Sequence, residues 1–121
     1  MKSTILIADR NPYVRKFLQR ELINAGYTVA LAENARQVLL MVERDPSLKL
    51  VIIDPDLPDK DMLSIVDTLR LLNPALPVLI HSLPEEYTEK RNDQRVWFVE
   101  KGGSSADAII SLVERRLNDF L

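Results

Sequence analysis

The sequence predicts a doubly wound α/β domain built on a parallel sheet of five strands, and three observations lead there. Short apolar runs end in acids, Ile5-Leu6-Ile7-Ala8 before Asp9 and Leu50-Val51-Ile52-Ile53 before Asp54. Between such runs lie segments with apolar residues at helical spacing, so strand and helix alternate along the chain. The chain has 121 residues, 46% of them apolar, which suits one core and is too short for two; a single domain over residues 1–121 is expected.

The runs at 5–8 and 49–54 have no polar alternation and read as strands buried on both faces. Pro77 to Ser82 and Val96 to Lys101 have the same character, whereas Tyr27-Thr28-Val29-Ala30-Leu31-Ala32 alternates and reads as an edge strand. The first helical stripe is Val14, Phe17, Leu18 and Leu22, and the second is Val38, Leu39 and Val42. Met62, Ile65, Val66 and Leu69 form the third, and Ile109, Leu112, Val113 and Leu117 the last. Asn11-Pro12 supplies an N-cap followed by a proline at the first helical position, where its missing N–H costs nothing. Gly26 ends that helix, and Asn73-Pro74 ends the third. Asn34 with Gln37 and Ser104 with Asp107 have capping-box spacing. From Glu85 to Arg95 nearly every residue is charged or polar, with Tyr87 the single large apolar one, so a short or mobile fourth helix is expected there.

With 16 Lys+Arg against 18 Asp+Glu the net charge is −2, which offers nucleic acid no basic footprint and forms no acidic tail. The apolar run after Met1-Lys2-Ser3-Thr4 is too short for a secretory core or a membrane span, so a soluble, cytoplasmic protein is expected. The absence of cysteine excludes disulfides and thiolate metal sites.

In a parallel sheet the carboxyl ends of the strands share one rim, which gathers Asp9, Asp54, Ser82 and Lys101. A carboxylate nucleophile beside a second carboxylate, a hydroxyl and an ammonium is what transfer of a phosphoryl group to Asp54 needs. Asp54 attacks, a hard cation such as Mg²⁺ neutralises phosphate charge, and Lys101 and Ser82 hold the remaining oxygens.

Over nearly its whole length the chain resembles the response-regulator receiver family. The resemblance rests on Ile5-Leu6-Ile7-Ala8-Asp9-Arg10-Asn11-Pro12, Ala25-Gly26-Tyr27-Thr28-Val29, Val51-Ile52-Ile53-Asp54-Pro55-Asp56-Leu57-Pro58 and Pro77-Val78-Leu79-Ile80-His81-Ser82, with Lys101 ending the fifth strand. It implies a flavodoxin-like sheet of order 2-1-3-4-5, with Asp54 accepting phosphate from the phosphohistidine of a sensor kinase or phosphotransfer protein. It implies that Ser82 and Lys101 sense that phosphate, and that Asp9, Asp54 and the backbone carbonyl of Asp56 ligate Mg²⁺. A downstream protein target or an output domain outside this sequence is the implied recipient of the signal, and a homodimer through the last helix and the Phe98 strand is a further implication.

Several residues depart from the family pattern. Arg10 stands where the second of two adjacent acids is usual, a change of about two charge units; at ~4 Å two unit charges interact by roughly 4 kcal/mol in an effective dielectric near 20. Arg10 therefore either weakens Mg²⁺ binding or pairs with Asp54 and imitates the cation. Leu83 replaces a small residue, Met62 a glycine, and Gly102 the proline after Lys101, so a trans Lys101–Gly102 link is expected. Phe98 occupies the position of the family's switch aromatic.

His81 reads as a packed, hydrogen-bonded core side chain, and Asp59 and Asp61 read as residues starting the third helix. Two other classes of function bear comparison with a phosphorylated receiver. One is a phosphorylation-independent interaction module, motivated by Arg10, Leu83 and Gly102. The other is an Asp-nucleophile phosphatase, since Asp54-Pro55-Asp56 after an apolar strand is similar to the Asp-x-Asp of haloacid-dehalogenase-type enzymes, where the motif instead follows the first strand of a longer chain. Flavin binding is disfavoured because Asp9-Arg10-Asn11-Pro12 is no phosphate cradle.

Overall fold

A computed structural model describes residues 4–59, 64–84 and 94–118. In chain order its elements are β1 (Thr4–Ala8), α1 (Pro12–Asn24), β2 (Thr28–Ala32), α2 (Ala35–Arg44), β3 (Leu48–Ile53), α3 (Ile65–Leu72), β4 (Val78–Ser82), β5 (Val96–Glu100) and α4 (Ser105–Asn118). The strands form one sheet of order β2-β1-β3-β4-β5, and every pairing is parallel. This is the expected doubly wound order. The expected helix within 85–95 falls mostly on residues outside those described, as do Met62 and Asp61.

Side chains alternate across each strand, which divides the interior into two layers. Leu6, Val51, Ile53, Val78 and Ile80 pack toward Val38 and Val42 of α2 and Val66 and Leu69 of α3. Ile5, Ile7, Leu50, Ile52, Leu79 and Trp97 pack toward Leu18 and Leu22 of α1 and Ile109 and Val113 of α4. Burying each such aliphatic side chain contributes about 1.5–3 kcal/mol, so the continuous apolar runs of β1, β3 and β4 fix the strands at the centre of the sheet. β2 is an edge strand as its alternation predicts. β5 departs from the reading of a strand buried on both faces: it forms the other edge, with Phe98 44% exposed.

The helix ends follow their local chemistry. The Asn11 side chain accepts N–H bonds from Tyr13 (2.9 Å) and Val14 (3.4 Å), with Pro12 at the first helical position. Gly26 takes φ 98°, a left-handed value that glycine adopts without a Cβ penalty, and turns the chain into β2. Asn34 accepts from the Gln37 N–H at 2.8 Å, but the Gln37 amide reaches back to the Glu33 N–H rather than to that of Asn34. Asp59 corrects the sequence reading: its carboxylate caps α2, accepting from Ala35 N–H (2.6 Å) and Arg36 N–H (3.0 Å). Orphan N–H groups at a helix start donate to any nearby carboxylate, and the β3–α3 loop delivers this one from 24 residues away. No cis peptide bond occurs among the described residues, so the Lys101–Gly102 link is trans. No described helix is long and apolar enough to cross a membrane.

Candidate phosphoacceptor site

The sheet's backbone ladder positions the site. Asp54 N–H donates to the Ala8 carbonyl at 2.9 Å, which carries the β1–β3 pairing one step beyond the strand ends. Lys101 N–H donates to the Ser82 carbonyl at 3.0 Å and does the same for β4 and β5. Asp9 and Asp54 are each 2% exposed, and the Lys101 ammonium bridges them, 2.6 Å from Asp54 Oδ2 and 3.0 Å from Asp9 Oδ2. The bond to Asp54 is a well-formed hydrogen bond; the approach to Asp9 Oδ2 is a charge contact without hydrogen-bond alignment.

The remaining lone pairs meet backbone donors. Asp54 Oδ1 accepts from Asp56 N–H at 2.8 Å, and Asp9 Oδ1 from Asn11 N–H at 2.9 Å. Arg15 Nη1 donates to the Asp9 carbonyl at 2.6 Å and steadies the β1–α1 turn, a role that nothing in its spacing marks in the sequence. For Lys101, burial pulls the pKa down, but the hydrogen bond to Asp54 and the close negative charges of Asp54 and Asp9 outweigh it and raise the pKa above 10.5. The ammonium is therefore fully charged at neutral pH.

Ser82 is fully buried at the end of β4, and its hydroxyl donates to the Leu83 carbonyl at 3.2 Å. The structure thus brings Asp9, Asp54 and Lys101 into direct contact and leaves Ser82 at the same rim with its hydroxyl turned elsewhere.

Arg10 does not pair with Asp54. Its Nη1 lies 3.2 Å from Asp56 Oδ2. Asp54 is buried, with Oδ2 on Lys101 and Oδ1 on the Asp56 N–H, whereas the Asp56 carboxylate lies at the open rim. Arg10 itself is 55% exposed at its side chain.

The donor set does not fit a divalent cation of the Mg²⁺ type, which relies on carboxylate and carbonyl oxygens in near-octahedral array. Among the described residues no group of three or more His, Cys, Asp or Glu could hold a metal ion. Both buried carboxylates turn an oxygen to Lys101, and a guanidinium covers the third acid.

His81 also corrects the sequence reading. It is 3% exposed on the α1 and α4 side of β4, and neither ring nitrogen has a hydrogen-bond partner among the described residues. It floors a concavity of about 240 Å³ whose walls include Val14, Phe17, Lys101 and Ser105. Burial first, then the Lys101 charge, lowers its pKa to about 4 against the opposing pull of Asp9 and Asp54, so the imidazole is neutral at pH 7.

A family model for the response regulator receiver domain matches residues 5–102, and the chain belongs to that family, the receiving module of two-component phosphorelay signalling. The transcriptional regulatory protein ZraR of Escherichia coli (strain K12) is 38% identical over 76 residues, covering 63% of this chain and 17% of that protein. The response regulator MprA of Mycolicibacterium vanbaalenii is 31% identical over 90 residues, covering 74% of this chain and 38% of that protein. The chain thus spans well under half the length of these relatives. Among solved structures, a CheY-like receiver domain protein from Methanospirillum hungatei JF-1 superposes with a TM-score of 0.82 at 18% identity, covering 98% of this chain and 96% of that one. The chemotaxis protein CheY4 of Vibrio cholerae superposes at 0.79 with 19% identity, over 95% and 98% of the two chains. These two likenesses establish the fold. The family match favours neither the phosphatase reading nor the phosphorylation-independent one.

Proposed function

We propose that residues 1–121 act as one receiver unit in the cytoplasm, in which Asp54 accepts a phosphoryl group from the phosphohistidine of a sensor kinase or phosphotransfer protein. The observation that carries this reading is the Lys101 ammonium, 2.6 Å from the buried Asp54 Oδ2. A carboxylate held in a partly dry pocket by a single cation is a preorganised nucleophile, because the ammonium that now neutralises Asp54 is placed to bind the phosphoryl oxygens as they arrive. Asp54 attacks phosphorus in line, the bond from phosphorus to nitrogen breaks, and its electron pair leaves with the histidine nitrogen. Rotation of the Ser82 hydroxyl away from the Leu83 carbonyl gives the acyl phosphate a second donor.

The phosphorylated unit then acts by binding a downstream protein, or an output domain of a longer chain, rather than by turning over a substrate. Any Mg²⁺ binds weakly at best, because Lys101 and Arg10 already engage the carboxylates of Asp9, Asp54 and Asp56 that it would need. Intact-mass spectrometry after incubation with acetyl phosphate and Mg²⁺ tests the assignment. A single phosphoryl adduct that hydroxylamine removes, and that Asp54→Asn lacks, is expected. An adduct that persists in Asp54→Asn would place the acceptor elsewhere.

A further inference from the structure

We infer that Arg10 is the pocket's resident cation: its guanidinium leaves Asp56 to bind the incoming phosphoryl oxygens, so that Asp54 is phosphorylated without a divalent metal. The inference rests on the reading of Asp54 as phosphoacceptor.

Three carboxylates, Asp9, Asp54 and Asp56, face two cations, Lys101 and Arg10. A transferring phosphoryl group brings about two further negative charges, and catalysis of this step consists largely of placing positive charge against them. Lys101 is already shared between two buried acids. Arg10 is differently held. Its ion pair with Asp56, at 3.2 Å, joins a side chain 55% exposed to one 30% exposed. Exposed pairs of this kind hold their partners weakly, so the guanidinium can change partner at little cost.

Position favours the exchange. Arg10 directly follows Asp9, the first residue past β1, and Asp56, which it contacts, donates its own N–H to Asp54 Oδ1 at 2.8 Å. The guanidinium is therefore held by the residue whose backbone N–H the attacking carboxylate accepts. Its planar fork matches two phosphoryl oxygens, a geometry that an ammonium cannot offer.

With phosphoramidate as donor, a carboxylate oxygen of Asp54 forms a bond to phosphorus as the P–N bond breaks. The donor nitrogen, already protonated to –NH₃⁺ by solvent, takes the electron pair and leaves as ammonia. Arg10 and Lys101 hold the three peripheral oxygens throughout, and neither gains nor loses a proton.

The test follows adduct formation by intact mass with phosphoramidate, in EDTA and in Mg²⁺, for the unaltered chain and for Arg10→Gln, Arg10→Lys, Arg10→Asp and Asp54→Asn. In EDTA the unaltered chain is expected to react within about threefold of its rate in Mg²⁺, and Arg10→Gln at least about tenfold more slowly, a modest share of what removing one donor to a developing oxyanion can cost. Arg10→Lys, which keeps the charge and loses the fork, falls between them, and Arg10→Asp reacts only when Mg²⁺ is present. An unaltered chain that needs Mg²⁺, or an Arg10→Gln variant as fast as it in EDTA, overturns the inference while leaving Asp54 as acceptor. Absence of adduct from every Asp54-containing variant, in both conditions, overturns the acceptor reading and this inference with it.

Discussion

Lys101 and Arg10 are both cations at the strand ends beside Asp54, and they are held in opposite ways. Lys101 reaches inward to two acids that are each 2% exposed, while Arg10 lies on the rim against one half-open acid. The inner cation is part of the fold, since removing it would strand buried negative charge; the outer one contributes little to the fold and is free to answer a ligand. Burial, rather than charge, separates a structural role from a responsive one in this pocket.

The largest expected effect lies at the inner cation. Lys101→Met leaves Asp9 and Asp54 facing each other unpaired, and urea unfolding at pH 7 should show a loss of about 3 kcal/mol, the lower end for a broken buried pair because Lys101 keeps some solvent contact. Its pH dependence has a definite sign. With its folded pKa raised above 10.5, Lys101 contributes its full stabilisation below that pH and loses it as pH rises through the folded value. The unaltered domain should therefore weaken above pH 10.5 more steeply than Lys101→Met.

His81 gives the next effect, with the opposite pH sense. Its pKa falls from 6.5 in the unfolded chain to about 4 in the fold, so the unfolded state takes up the proton first as pH drops. Stability from the neutral imidazole is complete above pH 6.5 and declines toward pH 4, by about 3 kcal/mol. His81→Leu should remove that part of the acid slope in denaturant titrations. It should also gain about 1 kcal/mol at pH 7, because two unpartnered buried nitrogens disappear. Equal acid slopes in the two proteins would contradict this account of His81.

Asp59→Ala should cost about 1 kcal/mol through the lost cap of α2, read from thermal melting. Desolvation pushes the Asp59 pKa up, but the Arg36 and Ala35 N–H bonds prevail and lower it, so this contribution fades in acid as the carboxylate protonates. The smallest effect belongs to the outer cation: Arg10→Gln should change stability by no more than about 0.5 kcal/mol. A loss near that of Lys101→Met would erase the distinction between the two cations.

The central strands were legible in the sequence because β1, β3 and β4 bury both faces, and only continuous apolar runs satisfy that demand. β5 was misread for the same reason: Val96, Trp97, Phe98 and Val99 form an apolar run, but an edge strand with an exposed Phe98 carries one too. Asp9, Asp54 and Lys101 were legible as a group because parallel topology alone brings strand ends to one rim. The partner of Arg10 was not, because the choice between Asp54 and Asp56 depends on which carboxylate oxygens are already taken. Nor was the role of Asp59, whose target lies across the rim on α2, or the unpaired state of His81, which depends on what the packed walls fail to offer.

The most direct test of the pocket is a beryllofluoride titration followed by amide NMR, since this phosphoryl mimic binds only where a carboxylate and its cations are correctly placed. Saturable shifts are expected around Asp54, Ser82 and Lys101, extending to Arg10 and Asp56 and vanishing in Asp54→Asn. A folded sample whose spectrum does not change, or changes equally in Asp54→Asn, would contradict the assignment of Asp54 as the phosphoacceptor.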